Sequence, residues 1–325
     1  MLKTCIFEAD DIKMNKVYEN HKCFEDMDKH QKQQNLCSKI NQHYGRLFFP
    51  DHISERGRPY FTGSLILSMD GRMGFMNDPS SRTLAKANIE DPTEGMADLW
   101  MVNVLRTYAD AVLLGTTTLH AEPEFTGHVY DPELQQYRLE RSERFAPVPW
   151  NIIITREPEK LPWNHPVLNT PEIPVLMIIP GDKTKNMEWC AENNFCYELI
   201  RMDYPFEGFE GDSLNSSQKD GQTHLVAALP EVGFPDWKLV MKLMGLLKIK
   251  QVAVESPYWI YELIQEKVMD EVFTTQTGVY AGGSLVPGKN QPFHSTQAPQ
   301  LELASIHMTG NNVMMMRQRL KYRDR

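Results

Sequence analysis

The sequence predicts an α/β protein built on a largely parallel sheet, and three observations carry that expectation. Short apolar runs of strand length alternate with helix-length amphipathic stretches from about residue 58 onward. Several of those runs are apolar at nearly every position, as strands covered on both faces are. The chain is 41% hydrophobic and 24% charged over 325 residues, enough to bury a sizeable core.

Residues 1–57 read differently. Lys, Asn, Gln, His and Asp crowd positions 10–42, and apolar residues are sparse. This is expected to be an accessory segment, either a helix over 17–44 packed on the domain or on a partner subunit, or a disordered stretch. From residue 58 the elements follow in order. Residues 59–68 form a buried strand closed by the turn Met69-Asp70-Gly71-Arg72. Residues 98–108 form a helix with Leu99, Val102 and Leu105 on one face, and 109–115 a short buried strand. A polar segment follows over 120–146, expected to be an excursion or a short helix. Strands are expected at 151–155 and 174–180, then a surface loop rich in Gly, Ser, Asn and Asp over 207–224. Helix 237–247, strand 251–255, helix 259–267 and strand 271–278 come next. Residues 301–308 and 312–317 close the chain as an antiparallel pair.

Charge and composition exclude some classes. With 34 basic against 43 acidic residues the net charge is −9, which argues against general affinity for nucleic acid or anionic membranes. No apolar run spans a bilayer, and acids stand where a signal peptide needs an apolar core. Five cysteines without a tight framework suit a reducing compartment, so the expectation is a cytoplasmic protein. No C-x-x-C occurs, and no metal site is expected.

Four stretches together resemble the reductase domain of the bifunctional riboflavin deaminase–reductase. They are Arg58-Pro59-Tyr60 with Leu67-Ser68-Met69-Asp70-Gly71-Arg72; Leu105-Arg106 with Ala109–Gly115 and Thr118; Val252-Ala253-Val254-Glu255 with Val268-Met269-Asp270-Glu271; and Ala281-Gly282-Gly283. The resemblance covers residues 58–325. It implies a dihydrofolate-reductase-like three-layer sandwich, with a mostly parallel central sheet, antiparallel C-terminal strands and helices on both faces. It also implies NADPH as cofactor, a small pyrimidine- or pterin-like substrate and a homodimer.

Candidate site residues follow from both readings. Asp70 ends a strand beside Gly71, where the resemblance puts the substrate; it is the expected catalytic residue, with Ser68 and His120 as further substrate contacts. Asp before Gly is also simply a common turn. Gly115, Thr116 and Thr118 follow a buried strand, where hydroxyls and free amides suit cofactor phosphate, as they suit helix capping. Thr155 and Arg156 end another strand, and a guanidinium there suits the 2′-phosphate of NADPH as well as it suits solvent. Glu255, Ser256, Tyr258, Gly282 and Gly283 complete the expected cofactor contacts.

Two departures from the family pattern matter. The glycine-bearing loop expected after Glu255 is replaced by Ser256-Pro257-Tyr258-Trp259, a good helix start but a poorer phosphate cradle. After Thr118, where the family carries arginines, stand Glu122 and Glu124, which disfavour a phosphate. These departures sustain two further readings: a non-catalytic ligand- or partner-binding member of the fold, and an enzyme using flavin. Tyr258, Trp259 and Tyr261 read first as packing; if the cleft holds a flat ring, Trp259 is the first candidate to stack on it.

Overall fold

The computed structural model describes residues 2–28 (side chains through 25), 37–49, 57–141, 146–185, 187–202, 224–289 and 292–323. The surface loop expected over 207–224 lies outside the described residues, apart from His224.

Eleven strands form one sheet: β1 (Asn15–Glu19), β2 (Tyr60–Leu67), β3 (Ala111–Leu114), β4 (Trp150–Ile154), β5 (Val175–Pro180), β6 (Tyr197–Arg201), β7 (His224–Leu229), β8 (Gln251–Val254), β9 (Glu271–Gln276), β10 (Gln300–Thr309) and β11 (Val313–Lys321). Their spatial order is β1-β10-β11-β9-β2-β8-β3-β4-β5-β7-β6. From β9 to β6 every pairing is parallel. The β9–β11, β11–β10 and β10–β1 pairings are antiparallel. The expected C-terminal hairpin is present and longer than the apolar run alone suggests.

The central strands are buried at every position, as their continuous apolar character requires. Successive residues serve different cores. Leu113, Ile152 and Ile154 join a cluster with the helices Trp237–Leu246 and Pro257–Gln265. Val112, Leu114 and Ile153 join another with Leu119, Val167 and Trp189. Side chains two apart share a strand face, so the two clusters lie on opposite faces of the sheet.

The helix Glu94–Tyr108 is buried more widely than its predicted stripe. Ala97, Trp100, Met101, Val104 and Tyr108 are in the core, while Leu99 and Val102 are only half-buried. The described parts of residues 1–57 enter the same cluster through Phe7, Ile12, Ile40, Leu47 and Phe49. In place of a single helix over 17–44, they hold strand β1 and the helices His21–Asp28 and Ser38–His43. The fully buried Arg317–Glu271 pair fixes this segment, since Arg317 Nη2 also donates to the Phe48 carbonyl at 2.9 Å. Three strands, β1, β6 and β7, have no counterpart among the sequence expectations, and His224, the first residue of β7, is the last of the expected surface loop.

Candidate functional site

The chain leaves β3 toward β4 and leaves β8 toward β9, on opposite sides of these two adjacent parallel strands. Such a reversal opens a crevice outside the carboxyl ends of the strands. A cleft of about 460 Å³ lies there. Its lining includes Ser64–Ile66 from β2, Asp98, Leu99 and Val102 from the Glu94–Tyr108 helix, Thr117 and Thr118 after β3, and Glu255–Tyr258 after β8. The walls are mostly apolar, with a few convergent polar groups, as small-molecule sites are.

Glu255 is held bidentately by Arg106: Nε reaches Oε1 and Nη2 reaches Oε2, both at 2.7 Å. Arg106 is fully buried, donates Nη1 to the His128 carbonyl at 2.7 Å, and lies 4.5 Å from the Phe125 ring centroid and 5.2 Å from that of Tyr130. Phe125 lines the cleft. One guanidinium therefore ties together the end of β8, the polar excursion and the long helix.

Asp98 is the second carboxyl on this floor. Burial pushes its pKa up to about 6; Thr275 hydrogen bonding opposes the shift and the Glu255 charge adds to it. A half-buried acid facing an apolar cleft, with a pKa near the working range, is suited to proton delivery.

The acids after Thr118 take an unexpected place. Glu122 lines the cleft, but its Oε1 accepts from Ser80 Oγ, Ser81 N and Ser81 Oγ at 2.8–2.9 Å, at the start of the Ser81–Lys86 helix. Arg82 and Lys86 of that helix line the same cleft. The wall thus carries two cations, Arg82 and Lys86, beside the Glu122 carboxylate.

Of the residues singled out by sequence, Thr118, Glu255, Ser256 and Tyr258 stand on the cleft wall. Ser256 occupies the cap position with Pro257 at N1, yet its side chain makes no capping bond. It packs on Gly115 instead, where a Cβ would meet Ser256 Oγ at 2.3 Å. Gly115 itself caps the Thr116–Ala121 helix, so Thr116 does not, and Thr116 is not among the lining residues. Thr155 is buried and accepts from Glu157 N at 3.1 Å. Arg156 donates to the Phe234 carbonyl and lies close enough to Tyr258 for its charge to act on that hydroxyl. His120 is exposed and outside the lining; its charge acts on His165. Trp259 is buried edge-on against Trp237 at 5.7 Å and does not face the cleft as a stacking platform.

Asp70, Ser68, Ala281 and Gly282 form a clamp beside the cleft, and Gly283 follows it in the chain. Asp70 accepts from Ser68 Oγ at 2.6 Å, Ala281 N at 3.0 Å and Gly282 N at 2.8 Å. These bonds, led by that of Ser68, bring its carboxyl down to about 2. Gly71, Gly282 and Gly283 have φ of +75°, +66° and +75°, conformations that favour glycine. The clamp sets Leu285, whose carbonyl accepts from Met73 N at 2.9 Å; both residues line the cleft. Sequence reasoning missed Asp98, the only signal for which was an acid on an otherwise apolar helix face.

Among the described residues, no group of three or more His, Cys, Asp and Glu is placed to hold a metal ion, and no helix is long and apolar enough to cross a membrane. No family model matches the sequence, and no curated protein matches it. Solved structures do. A pyrimidine reductase-like protein from Corynebacterium diphtheriae matches with a TM-score of 0.58 at 14% identity, over 86% of this chain and 98% of that one. RibD from Acinetobacter baumannii matches with a TM-score of 0.53 at 18% identity, over 87% of this chain and 62% of that one. The likeness at these identities is one of fold, and it is the fold that the sequence resemblance implied.

Proposed function

We propose that this chain is a reductase that moves hydride from NADPH to a small pyrimidine- or pterin-like substrate bound in the cleft at the β3–β8 reversal. The observation that carries the proposal is Asp98, an acid with a raised pKa facing that cleft. The likeness in fold to pyrimidine reductase-like proteins supports it.

The residues present fit a dinucleotide laid across the ends of β8, β3 and β4. The amides of Tyr258 and Trp259 lie in the first turn of the Pro257–Gln265 helix, among the N–H groups without an intrahelical partner. With the hydroxyls of Thr117 and Thr118 they would hold the phosphates, and Arg156 beside Tyr258 would take the 2′-phosphate. The bound cofactor supplies the hydride. Asp98 supplies the accompanying proton, and the fixed Arg106–Glu255 pair holds the floor in place. Leu99, Val102 and Phe125 would flank the ring, and Arg82 and Lys86 suit an acidic substituent. In this reading Asp70 holds the rim through its clamp, and Asp98 takes the catalytic role expected of Asp70.

The test is NADPH oxidation followed spectrophotometrically against a panel of pyrimidines and dihydropterins. Asp98→Asn should slow turnover by roughly 100-fold or more if it is the acid. One observation favours the non-catalytic reading: Ser256 is 3% exposed, with Pro257 at the position where bare backbone would meet phosphate. Binding of panel compounds without NADPH oxidation would decide for it.

A further inference from the structure

Asp98 does not stand alone. Glu94 precedes it by four residues on the same helix, so the two acids share one stripe, about a turn apart. Their partners share a face as well. Asp98 bonds to the side chain of Thr275 in β9, and Glu94 Oε2 accepts from Thr277 Oγ1 at 2.8 Å, just past the end of that strand. Thr275 and Thr277 are two positions apart, the strand repeat. Two acid–threonine rungs therefore stack between helix and sheet, the outer one at the cleft and the inner one fully buried.

Among the described residues, no cation pairs with the inner rung. Glu94 Oε2 also accepts from Asn88 Nδ2 at 2.6 Å, whereas Oε1 is buried without a hydrogen-bond partner. Behind it the Asn88 and Asn312 amides bond to each other reciprocally, at 3.0 and 3.1 Å. Among the described residues, Asp91 acts on Glu94, and Glu255, already matched by Arg106, acts on Asp98. A carboxylate at Glu94 would be a buried anion among acids, so the neutral acid is favoured. Accordingly burial pushes Glu94 up to about 7; the bonds from Asn88 and Thr277 oppose this, and the charges of Asp98 and Asp91 add to it.

We propose that Glu94 is a positioning residue for the cleft acid, remaining protonated behind Asp98 so that Asp98 alone changes charge during turnover. The use of Asp98's proton rests on the reductase reading; the protonated inner carboxyl does not. In the proposed step two electrons and a hydrogen pass as hydride from NADPH to one atom of a substrate double bond, leaving NADP⁺. The proton passes from the Asp98 carboxyl to the other atom, leaving a carboxylate that regains a proton from water when product departs. An ionised Glu94 one turn away would hold that proton back by like-charge repulsion. Glu94 thus keeps its proton beyond the pH at which Asp98 loses its own, and Asp98 sets the alkaline limit of the site.

The experiment is a carboxyl ¹³C NMR titration of the full chain without cofactor, for wild type, Glu94→Gln and Asp98→Asn. The proposal expects the Glu94 carboxyl to titrate near neutrality in the wild type and at clearly lower pH in Asp98→Asn, where the neighbouring charge is gone. It expects Asp98 to titrate in one step in Glu94→Gln. A Glu94 carboxyl ionising in the ordinary carboxylate range, or one unmoved by Asp98→Asn, overturns it. Should a variant fail to fold, the wild-type range of Glu94 decides. Because no cofactor is present, the outcome is independent of NADPH binding: a protonated Glu94 in a protein that ignores NADPH would retain the inner acid and reject the reductase reading.

Discussion

Arg106 and Glu255 meet through two 2.7 Å hydrogen bonds, with the guanidinium fully buried and the carboxylate side chain 6% exposed at the cleft floor. The pair joins the helix before β3 to the end of β8, across the two strands that frame the cleft.

Removing one partner of such a pair leaves an uncompensated buried charge. Arg106→Leu should therefore destabilise the protein by about 3–5 kcal/mol, read by denaturant unfolding. Replacing both residues, as Arg106→Leu with Glu255→Gln, should recover part of that loss. Equal destabilisation in the single and double variants would show that the guanidinium matters for packing on Phe125 and Tyr130 rather than for its charge.

Glu94 makes stability depend on pH. Its folded pKa, about 7, lies above the unfolded value, so the protonated form favours the fold. That contribution is complete below about pH 4.5 and is lost as pH rises through about 7. Wild type should lose roughly 2–3 kcal/mol relative to Glu94→Gln between pH 5 and pH 8. Unfolding free energies of both proteins across that window give the answer.

Gly115 has no room for a side chain. A Cβ would meet Ser256 Oγ at 2.3 Å and Ser256 Cβ at 3.0 Å. Gly115→Ala should destabilise by about 1–3 kcal/mol through overpacking, and Ser256→Gly should relieve most of it. The double-mutant cycle measures the coupling; simple additivity would place the clash elsewhere.

Asp70 clamps the rim. Its lowered pKa means that the clamp holds above about pH 4 and is lost as pH falls toward about 2. Asp70→Ala should leave the sheet folded while amide exchange quickens at Ala281 and Gly282, whose N–H groups it accepts. Unchanged exchange at those two amides would contradict this role.

Much of the fold was legible because the central strands are continuously apolar. Residues 151–155 and 174–180 mark β4 and β5 closely, and the last two apolar runs mark the β10–β11 hairpin. β1 was not legible: Asn-Lys-Val-Tyr-Glu at a sheet edge is almost wholly exposed and carries no burial pattern. Phe7, Ile12 and Leu47 are core residues dispersed through a polar segment, where composition averages them away. At the site, sequence pointed to Thr118, Glu255, Ser256 and Tyr258 on the wall. It could not find Asp98, because an acid within a helix reads as solvated until the helix is seen to be covered on nearly every side. Nor could it show that Glu122 is hydrogen-bonded by Ser80 and Ser81 at the start of the Ser81–Lys86 helix.

The central claim is a nicotinamide-dependent reductase, and calorimetric titration of the full chain with NADPH, with NADH alongside, tests it most directly. The account predicts roughly micromolar NADPH binding, weaker binding of NADH, and loss of that preference in Arg156→Ala. No detectable binding of either cofactor at about millimolar concentration would contradict it. The close-packed Gly115–Ser256 junction would then be the end of the cleft rather than a cofactor cradle.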